Sequence, residues 1–190
     1  MNKLTFLSRW FDCHLITNKP LHMKKSILIL MICLTSLFGI GQIEIDYKSG
    51  KEVQLNGTTI NNTTSFDDVV KMCGEEPTLY KEYSSGKVVY HFENLGLVIH
   101  TLNNQLIALG VNFNWDGDEN FPEKTFEGSL MIGKKVIKVD AKEGVVNELS
   151  EFEINCVIPG MCMNNPKTNK NPILLGFKDE LITQVLIEFH

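Results

Sequence analysis

Residues 112–123, "NFNWDGDENFPE", carry oxygen-bearing side chains at the spacing of a calcium-binding loop. Calcium takes six to eight oxygen ligands, and a helix–loop–helix site draws them from fixed positions of a twelve-residue loop. The first, third, fifth, sixth and twelfth of those positions are held here by Asn112, Asn114, Asp116, Gly117 and Glu123. One hypothesis for this stretch is therefore a calcium site with the ligands Asn112, Asn114, Asp116 and Glu123.

The surroundings of this stretch favour a simpler interpretation. Alternating apolar residues before it predict a strand, where the calcium pattern has a helix. Glu119 stands where an apolar residue normally holds the loop, and Pro122 stiffens its exit. As part of a strand, Asn112 is expected to point to solvent. Residues 115–125 are then expected to form an acidic linker between two structural units.

Two histidines offer a second metal hypothesis. His91 and His100 are expected to face each other across a hairpin, with Glu93 nearby. Imidazole and carboxylate groups are zinc ligands, but this spacing matches no standard zinc site. Polar residues on the wet face of a sheet are the alternative. No cofactor is predicted.

The sequence shows no constellation for catalysis. It lacks a G-x-S-x-G elbow, a glycine-rich phosphate loop and a cysteine with an evident base. Stretches rich in Ser and Thr, such as "TTINNTTSF", fit caps and turns. We therefore expect no catalytic residue and no enzyme activity.

Cysteines outside the first 41 residues are few. Cys156 and Cys162 flank a Pro159-Gly160 turn, a geometry that suits a disulfide in an exported protein. Unbridged, buried thiols are the alternative, since buried Cys behaves as a small hydrophobe. Cys73 would remain as an odd thiol near a helix end.

The beginning of the chain predicts export. Lys24 and Lys25 precede an apolar stretch over residues 26–40, and small residues follow it, so residues 23–41 read as a signal peptide that starts at Met23. Residues 1–22 are interpreted as a mis-called extension. The expected location is the periplasm or the exterior. The alternative is an inner-membrane anchor over residues 26–40, which is short for a membrane span.

The charge of the remaining chain restricts its partners. Residues 42–190 contain 13 Lys, no Arg and 22 Asp plus Glu, a net charge of −9. Such a surface neutralises phosphates poorly, which argues against nucleic acid and anionic membranes as partners. A protein partner with basic character fits better. A membrane is expected only if the signal segment is retained.

An internal repeat appears at an offset of 76 residues. Gly57 falls on Gly133, and "LVIHTLNNQLIALGVNF" from residue 97 falls on "ILLGFKDELITQVLIEF" from residue 173. At the same offset Thr64 falls on Asp140 and Asp67 falls on Glu143. In each copy the first residue is a candidate helix N-cap and the second is the acid three residues later. Fixed periods of this kind mark repeated structural units.

The predicted fold is α+β, with two tandem units over residues 45–114 and 126–190. Each unit begins with a hairpin, the first turned by Asn56-Gly57 and the second by Gly133. A short amphipathic helix follows, over Ser65 to Cys73 in the first unit and Ala141 to Phe152 in the second. An antiparallel meander completes each unit, and the helices are expected to pack on the antiparallel sheet. In the first unit its strands are predicted at about Leu79 to Tyr83, Lys87 to Phe92, Leu97 to Leu102 and Gln105 to Phe113. Its turns are predicted at Ser85-Gly86 and Asn103-Asn104, and the latter falls on Asp179-Glu180 at the offset of 76.

This arrangement resembles the β-lactamase-inhibitor-protein and outer-membrane-assembly small-lipoprotein group. The stretches "MCGEEP" and "FENLGLVIH" also resemble uncharacterised exported bacterial proteins. The shared pattern at the second unit consists of Pro122, Phe126, Gly128, Leu130 and Ile132. These are packing and turn positions, so no catalytic residue can be transferred. The resemblance implies a protein-binding or inhibitory role, including immunity to a toxin.

The sequence therefore predicts an exported, non-enzymatic protein-binding module. Tyr80, Tyr90 and Trp115 are candidate contact residues if they are exposed, and packing in the core or in turns is the alternative for each. A structural or assembly protein of the cell envelope is the second hypothesis. Calcium binding is the third.

Overall fold

The computed structural model of the chain describes residues 42–190. The predictions for residues 1–41, namely the extension, the signal peptide and the anchor, lie outside the described residues. Within 42–190 the chain forms thirteen strands, one α-helix and two 3₁₀ helices. No helix in this range is long and apolar enough to cross a membrane.

Most of the elements follow one another with short connections, and the two long ones join β7 to β8 and β11 to β12. In chain order they are β1 (Glu44–Ser49), β2 (Glu52–Leu55), β3 (Thr58–Ile60), α1 (Phe66–Cys73), β4 (Thr78–Glu82), β5 (Lys87–Phe92), the 3₁₀ helix Glu93–Leu95, β6 (Leu97–Leu102), β7 (Gln105–Asn112), β8 (Ser129–Ile132), β9 (Lys135–Ile137), the 3₁₀ helix Glu143–Phe152, β10 (Asn155–Ile158), β11 (Met161–Met163), β12 (Ile173–Lys178) and β13 (Leu181–Glu188). The fold is α+β, as predicted, but strands dominate it.

The larger sheet has eight strands in the order β10-β11-β12-β13-β7-β6-β5-β4, and every neighbouring pair is antiparallel. Its tight turns carry the predicted residues. Asn103 and Asn104 adopt positive φ angles of 51° and 63°, and Asp179 and Glu180 adopt 51° and 66°. Two successive residues with positive φ form the hairpin turn that matches the twist of the flanking strands.

The smaller sheet has five strands in the order β3-β2-β1-β8-β9. Both predicted hairpins are present in it, with Asn56 and Gly57 at φ 50° and 75° in the first. The strand β1 was not predicted, and it lies between the two hairpins. It pairs with β8 in parallel, a pairing that the sequence does not predict.

One apolar core lies between the two sheets. Alternate residues of β1 and β2 point into it, and so do alternate residues of β6 and β13. The helix α1 adds Val69 and Cys73, and the second 3₁₀ helix adds Val145 and Leu149. The helices and the smaller sheet therefore cover the inner face of the larger sheet together.

The helix α1 confirms the prediction for residues 65–73, but it begins one residue later, at Phe66, and its cap is one residue later than predicted. Ser65, not Thr64, accepts a hydrogen bond from the main-chain nitrogen of Asp68. Thr64 closes the preceding turn instead, because its hydroxyl accepts from the nitrogen of Asn61. Gly74, at φ 67°, ends the helix.

The second predicted helix is a 3₁₀ helix with a break at Leu149 rather than an amphipathic α-helix. The expected cap of Asp140 and Glu143 does not form. The turn before β13 and the start of β13 hold this end of the helix instead, because the nitrogen of Glu143 donates to the oxygen of Glu180 and the nitrogen of Ile182 donates to the oxygen of Ala141. These long-range bonds take the place of the local cap.

Candidate functional site

The linker after β7 turns back across the outer face of the larger sheet, the face that points away from the core. Phe121 is buried there against Val89 and Val98. Below it lies Gly110, where an added Cβ would come within 2.8 Å of the Phe121 ring. The sheet accepts the linker because this position carries no side chain.

Two asparagines hold the linker in place. The side-chain nitrogen of Asn112 donates to the main-chain oxygens of Glu123 and Lys124, each 3.1 Å away. The side-chain nitrogen of Asn114 donates to the oxygens of Val139 and Ile182, each 2.7 Å away. The expectation that Asn112 points to solvent is wrong, because the linker covers this part of the face and leaves Asn112 only 1% exposed.

The acidic residues of the linker form its turns. The carboxylate of Asp116 accepts from the nitrogen of Asp118, and that of Asp118 accepts from both nitrogens of Asn120. The side chain of Gln184 also donates to the Asp116 carboxylate. Three of the four predicted calcium ligands thus make protein hydrogen bonds, Asn112 and Asn114 through their side-chain nitrogens and Asp116 through its carboxylate, and the fourth, Glu123, is exposed. These contacts lend the calcium hypothesis no support.

A cavity of about 370 Å³ opens between the linker and the edge of the sheet, and we call it the linker pocket. Its walls include the aromatic rings of Tyr80, Trp115 and Phe121 and the carboxylates of Glu93, Glu119 and Glu123. No lysine lines it. The pocket therefore joins aromatic surface to negative charge.

His91 forms the floor of the linker pocket. Its ring stacks on Tyr80 with centroids 4.3 Å apart and planes within 8°. Its Nε2 atom donates to the main-chain oxygen of Asn120 at 3.1 Å, since a carbonyl oxygen only accepts. Its Nδ1 atom lies 3.4 Å from the carboxylate of Glu93. These contacts fix the positions of Tyr80 and of the linker relative to β5.

Glu93 reaches the pocket from the 3₁₀ helix that follows β5. Gly96 ends this helix at φ 64° and packs directly against the linker, where an added Cβ would lie 2.5 Å from the oxygen of Lys124. Both the left-handed conformation and the close contact require glycine. The glycine of "NLG" indicates from sequence alone that the chain turns here. Nothing in the neighbouring residues indicates that the linker packs against it.

The predicted contact residues do not form one surface. Tyr80 and Trp115 are 37% and 45% exposed and line the linker pocket together. Tyr90 lies on the inner side of the sheet, where its ring stacks on Phe66 of α1 at 4.0 Å. Tyr90 is thus a packing residue, as the alternative prediction had it, whereas Tyr80 and Trp115 are accessible to a partner.

The two histidines project from the same face, because His91 is paired with Val98 and His100 with Val89. Their nitrogens and the Glu93 carboxylate do not converge on one point. Among residues 42–190, the ligating atoms of a group of His, Cys, Asp or Glu come together only at Glu143, Cys156 and Cys162. Burial, reinforced by Lys87 and His91, lowers the pKa of His100 to about 4.

Cys156 and Cys162 form a disulfide between β10 and β11, the first of the two alternatives. The bridge uses both thiols of the group formed with Glu143. Cys73 carries a free thiol that is buried on α1. Burial, followed by the charge of Glu75, raises the pKa of this thiol to about 12. A thiol in that state is a packing residue rather than a nucleophile.

Comparison with known proteins finds a match to one protein family. A family model described as a domain of unknown function, DUF7738, matches residues 44–147, more than half of the chain. The match includes β1 to β9, and the linker pocket lies inside it. No curated protein and no solved structure matches the chain.

Proposed function

The chain belongs to the DUF7738 family of unknown function, and we propose that it acts there as an exported, non-enzymatic protein-binding module of the inhibitor or immunity type. The observation that carries the proposal is the open outer face of the larger sheet. A sheet face with partly exposed apolar side chains is a surface that another protein can cover.

The open face is made of neighbouring residues on three strands. Met163 of β11 pairs with Leu174 of β12, and Leu174 pairs with Leu186 of β13. All three side chains are partly exposed. We call this group the apolar strip. The linker covers the sheet beside it, and the exposed Trp115 lies on that linker.

Charge supports a partner with basic character. The described chain carries a net charge of −9, and Glu119 and Glu123 stand beside the open face without a salt-bridge partner among the described residues. Complementary charge accelerates association and disfavours wrong partners. A partner with a basic surface could contact the apolar strip and the acidic linker pocket at the same time.

We further propose that the module consists of two tandem copies of one unit. The larger sheet supports this, since β4 to β7 and β10 to β13 are arranged outward from a central β7–β13 pair. In that pair Gly110 lies opposite Leu186, the residue 76 positions later. An axis relating the two units would pass through this pair. The strand β1 has no counterpart and separates the two hairpins.

Affinity capture with matched variants tests the proposal. Leu174→Lys places a charge on the apolar strip, whereas Met131→Lys places one on a partly exposed position of the smaller sheet. A partner from the cell envelope should bind the unmodified protein and Met131→Lys equally and should bind Leu174→Lys at least tenfold more weakly. Recovery of no partner at any salt concentration, or equal capture by all three proteins, would contradict the proposal.

A structural or assembly role in the envelope is the second candidate, and one observation favours it. The edge strand β10 exposes Val157 and Ile158 at 57% and 56%. An exposed, apolar edge strand can pair with a strand of another chain. Mass determination of the mature N-terminus separates the candidates, because a retained segment 26–40 would favour assembly at the membrane.

A further inference from the structure

We propose that the linker pocket binds a guanidinium or ammonium group, supplied by an arginine or lysine side chain of the protein partner. The inference rests on the proposed function for the identity of the partner. Its chemistry comes from the pocket alone, which combines a cavity of suitable size, aromatic faces and carboxylates without a resident cation.

The first step concerns charge. Glu93, Glu119 and Glu123 all line the linker pocket. Glu119 and Glu123 form no salt bridge with any residue in the range 42–190, and the only such contact of Glu93 is with His91. A cation entering the pocket would therefore meet three carboxylates and no competing lysine. Hydrogen bonds between a cation and a carboxylate are the stronger kind.

The second step concerns the aromatic walls. Tyr80 is held against His91 by stacking, so its outer surface is presented to the pocket without loss of side-chain freedom on binding. Trp115 supplies a second, exposed ring. A cation over the face of an aromatic ring is attracted by the electrons of the ring. The methylene stem of lysine or arginine also packs well on such rings.

The third step concerns size and selectivity. A cavity of about 370 Å³ falls within the range of pockets that hold organic groups. Calcium is held by oxygen ligands at about 2.3–2.6 Å, a much tighter cage than this pocket with its aromatic surface provides. Organic cations use both kinds of wall, whereas a metal ion uses only the carboxylates.

The pocket also holds a position that suits a protein ligand. It opens beside the linker, and the same linker borders the outer face on which the apolar strip lies. A partner lying on the apolar strip could thus extend one long basic side chain into the linker pocket. An anchor of this kind is typical of the residues that dominate binding energy.

Calorimetric titration of the full chain with N-acetyl-arginine amide tests the proposal. N-acetyl-citrulline amide has nearly the same shape without the charge and serves as the matched ligand. The arginine amide should bind with a dissociation constant on the order of 1 mM, as befits one exposed side chain. The citrulline amide should bind at least tenfold more weakly, and added salt should weaken only the arginine amide.

Variants place the binding in the linker pocket. Glu119→Gln should weaken the arginine amide about threefold to tenfold, and Tyr80→Leu should do the same. Glu76→Gln removes one exposed acid outside the pocket and should change nothing. Circular dichroism verifies that each variant is folded. Should Tyr80→Leu unfold, Glu119→Gln and Glu123→Gln decide the question.

Some results would overturn the inference. These are equal binding of the arginine and citrulline amides, no binding of either, an unaltered titration in Glu119→Gln and Glu123→Gln, or full competition by 1 mM calcium. Failure of partner capture with a normal arginine titration would instead reject the proposed function and leave the cation pocket standing. Capture without arginine binding would reject the pocket alone.

Discussion

The hydroxyl of Tyr47 in β1 donates a hydrogen bond to the main-chain oxygen of Asn171, 2.8 Å away and 124 residues later in the chain. The same hydroxyl accepts from the side-chain nitrogen of Asn164 at 2.9 Å. Both asparagines are buried at the ends of the loop between β11 and β12. One tyrosine thus joins β1 to both ends of this polar loop. Burial raises the pKa of this phenol to about 12.

Replacement of Tyr47 by Phe should therefore destabilise the protein despite the small change in shape. The variant leaves the Asn164 nitrogen and the Asn171 oxygen buried without their partner, which costs about 1–3 kcal/mol. Urea denaturation gives the free energy of unfolding. Tyr83→Phe, at a partly exposed tyrosine that lies near two lysines, is the control and should change stability by less than about 0.5 kcal/mol. Equal losses in the two variants would show that the buried hydrogen bonds contribute nothing specific.

Local signals in the sequence predicted most of the larger sheet. Strands β5 and β6 have the predicted bounds, because turn residues such as Ser85-Gly86 and Asn103-Asn104 mark their ends. The hairpins at Asn56-Gly57 and Gly133 were predicted for the same reason. Turn chemistry acts within four residues, so a single sequence reveals it.

Features that depend on distant contacts were not predicted. Strand β1 lies between two hairpins that are far apart in sequence, and no local residue indicates that position. The second predicted helix does not form its expected cap, because hydrogen bonds to Glu180 and Ile182, at the β12–β13 turn and the start of β13, take its place. In both cases tertiary contacts outweigh local preference.

The candidate site shows the same division. Tyr80 and Trp115 were proposed from their residue type, but their meeting in one pocket depends on how the linker folds back. The path of the linker is fixed by hydrogen bonds from Asn112 and Asn114, two residues that the calcium hypothesis assigns as ligands. The spacing of polar residues alone does not distinguish an anchor of the backbone from a metal ligand.

Gly110→Ala should disturb the linker specifically. The added methyl group would lie 2.8 Å from the Phe121 ring and 2.9 Å from a methyl carbon of Val98, so the linker must move. Overpacking of this kind costs about 1–3 kcal/mol. We expect this loss in urea denaturation, together with a change in the fluorescence of Trp115.

A second substitution tests whether Phe121 is the cause. In the background of Phe121→Leu, the added methyl group has more room, so Gly110→Ala should cost at least about 0.5 kcal/mol less than it does alone. The control is Gly144→Ala, where an added Cβ meets no atom within 4 Å. Strict additivity of the two substitutions would show that the linker does not rest on Gly110.

His100 should make stability depend on pH. Burial, then Lys87 and His91, depresses the pKa of this ring in the folded protein to about 4, below the value of about 6.5 in an unfolded chain. Between pH 6.5 and pH 4, His100 is protonated in the unfolded chain but neutral in the folded protein, so proton binding favours unfolding. The folded protein is therefore at full stability above pH 6.5 and loses stability as the pH falls toward 4.

His100→Gln removes that dependence. Between pH 7 and pH 5 the unmodified protein should lose about 1–2 kcal/mol more than the variant, as measured by urea denaturation at each pH. His190→Gln changes an exposed terminal histidine and should behave like the unmodified protein. An identical pH profile for His100→Gln and the unmodified protein would exclude the buried ring as the origin of the effect.

The two meander turns differ in how well their residues suit the backbone. Asn104 and Glu180 occupy equivalent turn positions at φ 63° and 66°. Asparagine tolerates this left-handed conformation, whereas glutamate is strained in it and glycine is not. Glu180→Gly should therefore raise the free energy of unfolding by about 0.5–1 kcal/mol, and Asn104→Gly should change it by less. The bond from the nitrogen of Glu143 to the oxygen of residue 180 is retained in the variant, because it uses only the backbone. Urea denaturation of both variants measures the difference, and a loss of stability in Glu180→Gly would mean that the turn at 179–180 does not hold the conformation described.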